Sequence, residues 1–218
     1  MKRRPITPDR PMTQIVSTLY TIGHSTHPYL RFLQLLRDHR VDFVLDVRSV
    51  PHSGRAPQFS QRPLRDALRS DGIRYRHAGN ILGGRPADRQ FYEDDQVQYS
   101  RIAASQEFLK ALARVRSAAR THRVALVCAE GDPLTCHRFL LLARYLRSPD
   151  LEIVHILPDG RGEPHSETEL RLMRQTGLLQ SDLFAQNPEA LEEAYEVQSR
   201  RVAFAARPIE TNSEESAR

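Results

Sequence analysis

The sequence predicts a single α/β domain: a mostly parallel sheet flanked by helices, with a C-terminal helical extension. Three observations predict it. Short, largely apolar runs, Asp42 to Val47 and Val124 to Cys128 among them, carry hydrophobic residues at consecutive positions, as strands covered on both faces do. These runs alternate with segments of helical period, an order that gives right-handed crossovers in one sheet. The chain has 218 residues, enough for one well-buried core and short for two ordinary domains.

In chain order, residues 1–13 are basic and carry three prolines, so they read as a flexible arm preceding a domain over 14–206. Thr18 to Ile22 reads as the first strand, closed by Gly23-His24-Ser25. Residues 29–39 follow as a helix with Leu30, Phe32, Leu33 and Leu36 on its apolar side. Asp42 to Val47 is the second strand, and a loop with Pro51, Gly54 and Pro57 leads to a short helix from Pro63 to Ser70. Gly72 to His77 reads as a third strand, followed by the turn-rich Ile81 to Pro86 and a polar surface loop over 88–98. A long helix covers about Ser105 to Thr121, then come the strand Val124 to Cys128, a polar loop, and a helix from Phe139 to Arg147. Leu151 to Leu157 is the last clear strand. Ser166 with Glu169 three positions on has the capping-box pattern for one helix, and Asn187-Pro188 starts another. Residues 207–218 are polar and read as a disordered tail.

Hydrophobic content of 39% and charged content of 27% describe a soluble globular chain. No apolar run approaches the roughly 20 residues that span a bilayer, and Met1 to Pro5 lacks the apolar core of a signal peptide. The expected location is therefore cytoplasmic, with Cys128 and Cys136 as reduced thiols. The net charge of +5 favours anionic partners, and it is carried almost wholly by arginine, since the only lysines are Lys2 and Lys110. Arginines such as Arg114, Arg116 and Arg120 also fit a solvated helix face.

In a parallel sheet, the loops leaving the carboxyl ends of the strands share one edge, where ligands bind. That rule gathers His24 and Ser25 with Asp46, Arg48, Ser53 and Arg55, and with Glu130, Cys136, His137 and Arg138. Asp46 and Arg48 are two apart and project to one face. Either Asp46 orients Arg48 to grip an anion, or the pair merely holds the loop. Cys136, near a helix N-terminus beside His137 and Arg138, is a candidate nucleophile; otherwise it is core, a reading stronger still for Cys128. Glu130 has no evident packing role and suits acid–base work, unless it pairs with Arg138. His24 could act as a base or as a hydrogen-bonded structural histidine, and Ser25 could donate to a phosphate. Cys128, Cys136, His137 and His24 could converge on a metal, but a cysteine spacing of eight is not a usual zinc pattern, and no metal is assigned. No Walker loop or dinucleotide fingerprint is present, and the sequence names no cofactor or oligomeric state.

Thr21-Ile22-Gly23-His24-Ser25, Asp46 to Ser53, Phe59, Gly72 to Tyr75, Leu82-Gly83-Gly84 and Cys128-Ala129-Glu130 through Pro133 to Cys136-His137-Arg138 resemble domain-of-unknown-function family 488 over about residues 18–160. The resemblance implies an α/β protein and supplies no catalytic residues. The function expected from the residues is binding or turnover of an anionic, phosphate-bearing or nucleotide-like small molecule, with Arg48, Arg55 and Arg138 binding the anion and Glu130, His24 or Cys136 as the chemical groups. The alternatives are a nucleic-acid-binding module on the basic surface and a non-catalytic sensor or scaffold. Aromatic content of 7%, the absence of tryptophan and the scatter of the arginines weigh against nucleic acid.

Overall fold

The computed structural model describes residues 17–179 and 187–206; the expected N-terminal arm and C-terminal tail lie outside the described residues. Ser17–Gly23 (β1) leads to Tyr29–Asp38 (α1) and Phe43–Asp46 (β2), then through the 3-10 turn Pro57–Phe59 to Gln61–Ser70 (α2) and Arg74–His77 (β3). Gly79–Leu82 (α3), the short strands Tyr92–Glu93 (β4) and Gln96–Val97 (β5), and Tyr99–Ala103 (α4) precede Gln106–Ala119 (α5). Val124–Cys128 (β6) is followed by the 3-10 turn Pro133–Thr135 and a π-helical stretch, Arg138–Ala143, that runs into Arg144–Leu146 (α6). Leu151–Ile156 (β7), Gly162–Pro164 (β8), His165–Thr176 (α7) and Pro188–Val202 (α8) complete the described chain.

Six strands form one sheet in the order β3-β2-β6-β1-β7-β8, with only β8 antiparallel. The connection after β1 runs toward β2 and the one after β6 runs the opposite way to β7, so the chain reverses direction across the sheet beside β1 and β6. A crevice at the carboxyl ends of the strands is expected at such a reversal. On one face α1 and α2 bury Phe32, Leu35, Leu36, Leu64 and Leu68 against Tyr20, Ile22, Val44, Ala125 and Val127. On the other, α5, the π-helical stretch, α7 and α8 pack on Leu19, Leu45, Val124, Leu126 and Ile153. Alternate residues of β1, β2 and β6 thus serve opposite cores, which is why these strands carry apolar residues on both faces.

Four expectations change. Leu30 is 76% exposed, because the buried arc of α1 runs through Phe32, Leu33, Leu35 and Leu36 on the other side of the helix. Ser166 is not a cap: α7 already begins at His165, behind Pro164, and Glu169 turns to His165 and Arg147 instead. The region 88–98 is not a simple loop. It holds the β4–β5 hairpin with Val97 buried, and its partner is the distant segment after α8, where the Val97 amide donates to the Phe204 carbonyl (2.9 Å). The helix expected from Phe139 to Arg147 begins one residue earlier and is π-helical over Arg138–Ala143, a wide turn that often accompanies functional sites.

The Asn187 cap holds, its side chain accepting from the amides of Glu189 and Ala190. α8 is fastened by the buried Arg144, which pairs with Glu192 and Glu196 and lies over the Tyr195 ring (4.8 Å). That attachment carries the following residues back to the carboxyl edge of the sheet, where Val202 and Phe204 reach the site described below. Among the described residues no helix is long and apolar enough to cross a membrane.

Candidate functional site

The loops leaving β1, β2 and β6 are tied to one another by main-chain bonds that continue the ladder past the strand ends. The amides of His24 and Ser25 donate to the carbonyls of Cys128 and Ala129 (2.9 Å each), and the Val47 amide donates to that of Val127 (3.0 Å). The loops after β1 and β6 pass so closely that a Cβ at Gly23 would overlap the Glu130 carbonyl. Glycine is therefore required there by close approach rather than by a turn. Between the loops lies a cavity of about 340 Å³.

Arg48 and His24 form one wall. Arg48 donates from its backbone amide (3.2 Å), Nε (2.9 Å) and one terminal nitrogen (2.6 Å) to Asp46, whose carboxylate also accepts the Tyr75 hydroxyl (2.7 Å). Asp46 is fully buried, so four donors compensate its lost hydration. The other terminal nitrogen of Arg48 donates to His24 Nε2 (3.1 Å), while His24 Nδ1 donates to the Ser25 carbonyl (2.8 Å). Both ring nitrogens are thus engaged, and the ring stacks on Phe59 at 4.4 Å. Burial first, and then the Arg48 charge, push the His24 pKa down against the pull of its hydrogen bond to Ser25, which keeps the ring neutral.

The opposite wall is acidic and sulfurous. Cys128 Sγ and Cys136 Sγ lie 2.9 and 3.1 Å from the same oxygen, Glu130 Oε2. His137 Nδ1 lies 3.5 Å from Cys128 Sγ and 3.8 Å from Cys136 Sγ, and its Nε2 bonds to the Val47 carbonyl (3.1 Å). Burial disfavours ionisation of Glu130, but the two thiol donors and its backbone hydrogen bond outweigh it and hold the carboxyl below its ordinary range. The thiols share their protons as a pair. Cys128 is pushed up, first by its bond to Cys136 and by burial, while Cys136 is drawn down despite burial by Cys128, Arg138 and His137.

Of the residues expected at the site, His24, Arg48, Ser53, Glu130, Cys136 and His137 line the cavity, and Asp46 lies beneath Arg48. Ser25, Arg55 and Arg138 do not line it. Ser25 takes a left-handed conformation (φ 48°) with its amide on Ala129, so it shapes the loop. Arg55 is exposed outside the cavity. Arg138 is fully buried behind the wall, where its guanidinium donates to the carbonyls of Glu130 and Gly131 (2.7 Å to the latter) rather than pairing with the Glu130 carboxylate. It braces the loop and offers nothing to a ligand.

Reading Cys128 as strand core missed its thiol, which lines the cavity although the residue is buried. Also missed were Tyr99, Ser49, His52, Arg85 and Thr135, and the C-terminal Val202 and Phe204. Gly83-Gly84 did carry a usable signal, because a Cβ at Gly84 would lie 2.9 Å from His137 Cγ, so the glycine lets the backbone rest on the imidazole. Arg85 stands over the Phe204 ring (4.7 Å) at the cavity mouth.

A family model described as "Domain of unknown function DUF488" matches residues 29–146. That span contains β2, β6 and the Cys128–Arg138 loop, whereas His24 and the C-terminal residues of the cavity lie outside it. No curated protein and no solved structure matches the chain.

Proposed function

We propose that this chain, which belongs to the DUF488 family, binds an anionic, phosphate-bearing or nucleotide-like small molecule in the cavity and acts on it as an enzyme. The observation that carries this reading is Arg48. Its guanidinium is locked by Asp46 and His24 yet still lines the cavity, so an anion meets donors that need no reordering. Arg85 at the mouth supplies a second cation. The volume of about 340 Å³ suits a small ligand. Glu130, the carboxylate of the cavity wall, is the proton acceptor of the site by its position, and the neutral His24 positions Arg48.

The test is calorimetric titration of the full chain with inorganic phosphate and with nucleoside monophosphates, repeated on Arg85→Ala and Arg48→Lys. Both variants should weaken binding about tenfold or more, the second because lysine keeps the charge but loses the fork. If no anion binds, or if both folded variants bind as the wild type does, the proposal fails.

A further inference from the structure

We infer that Cys128, Cys136 and His137 form a binding site for a thiophilic divalent cation of the zinc type, with its fourth coordination position open to the cavity. The three donor atoms lie within 4.8 Å of one another. Metal–sulfur bonds of about 2.3 Å and metal–nitrogen bonds of about 2.0–2.1 Å at a tetrahedral angle need sulfur–nitrogen separations of roughly 3.5 Å. His137 Nδ1 lies 3.5 Å from one sulfur and 3.8 Å from the other, so both sulfur–nitrogen separations are already close to that geometry.

The surroundings support the same reading. His137 Nε2 is committed to the Val47 carbonyl, so Nδ1 is the nitrogen that faces the sulfurs and becomes a ligand when the cation displaces its proton, the usual arrangement behind a metal-bound histidine. Gly84 lies against the imidazole, and the Arg138 amide donates to Cys136 Sγ (3.4 Å). Cys128 and Cys136 are eight positions apart, but one ends β6 and the other leaves the turn Pro133–Thr135, and the fold closes that gap. Two thiolates and an imidazole select zinc-like ions over magnesium or calcium. Glu130 is hydrogen-bonded to both sulfurs and lines the same cavity, but it is not among the donor atoms that lie within 4.8 Å of one another and is not counted as a ligand. This inference shares the cavity with the anion reading but does not rest on it.

The experiment uses the full reduced chain, stripped with a chelator, loaded separately with Zn²⁺ and Co²⁺ and desalted. About one equivalent of either metal per chain should be retained, and the cobalt form should show thiolate-to-cobalt charge transfer with the intense visible bands of four-coordination. Cys128→Ser and Cys136→Ser should each weaken zinc binding at least about tenfold. Should the serine variants fail to fold, as judged by circular dichroism, the wild-type cobalt spectrum decides alone. A stripped chain that retains no metal, a cobalt spectrum without thiolate charge transfer, or a Cys128–Cys136 disulfide in anaerobically purified protein would each overturn the inference. Phosphate titration of the same stripped protein tests the anion reading separately, since Arg48-dependent binding there survives a failed metal site.

Discussion

Arg48 grips the carboxylate of Asp46, two residues before it, through two guanidinium nitrogens at 2.9 and 2.6 Å, and both residues are buried. A buried pair of this kind adds little net stability over an apolar pair, but breaking it leaves one charge stranded. Asp46→Asn is therefore expected to cost about 3–5 kcal/mol in urea unfolding. Tyr75→Phe removes only one donor and should cost about 1 kcal/mol. Equal, small losses for the two variants would mean that Arg48 finds water or another partner.

Gly23 separates a steric requirement from a conformational one. Its backbone needs no positive φ, yet a methyl group would strike the carbonyl of Glu130, a backbone atom that cannot rotate away. Gly23→Ala should destabilise the protein by about 3 kcal/mol and reduce ligand binding in the cavity by displacing the Glu130 loop. Gly54 has open space around its Cβ position, so Gly54→Ala should stay within about 0.5 kcal/mol of the wild type. Chemical denaturation of the two variants side by side gives the comparison, and equal losses would refute the steric account.

The sheet was legible because buried parallel strands leave unbroken apolar runs, and the rule for strand ends then gathered His24, Arg48, Glu130, Cys136 and His137 at one cavity. Arg138 was misread because a polar loop with cysteine, histidine and arginine looks like a ligand-facing surface. Whether an arginine grips a ligand or the loop's own carbonyls depends on packing that adjacency does not encode. Cys128 was read as core because its neighbours in β6 are core, although a residue at the mouth of a buried strand can turn its tip into a cavity. Val202 and Phe204 left no local signal at all. They reach the site through the pairing of the segment after α8 with β5, a contact between residues more than a hundred positions apart.

His155 gives the fold an acid-sensitive element. It is fully buried, bonded through Nδ1 to the Thr21 hydroxyl (2.7 Å) and through Nε2 to His165 Nδ1 (3.0 Å). Tyr195 and Glu169 face His165 from the far side (3.2 and 3.3 Å). Burial first, then the charges of His165, Arg138 and Arg171, push the His155 pKa well below its ordinary value. The unfolded chain takes up a proton at about pH 6.5 and the folded chain does not, so stability is full above that pH and falls as the pH drops below it. The limiting slope is about 1.4 kcal/mol per pH unit, and His155→Gln should remove that part of it. Urea melts between pH 5 and 8 would contradict the assignment if wild type and variant lost stability in parallel.

The attachment of α8 links global stability to the shape of the cavity mouth. Arg144 is buried against α8, but its partners Glu192 and Glu196 are about half exposed, so solvent screens each pair and neither glutamate is decisive alone. Glu192→Gln should therefore cost less than about 1 kcal/mol, since Glu196 remains. Arg144→Ala removes both pairs together with the stacking on Tyr195 and Tyr145, and should cost about 2–3 kcal/mol. Because Val202 and Phe204 follow from the end of α8 into the cavity wall, the arginine variant should also be cleaved faster near α8 in limited proteolysis and bind ligand more weakly. Ligand binding unchanged in a destabilised Arg144→Ala would show that β5 alone holds Phe204 at the mouth, through the Val97–Phe204 bond.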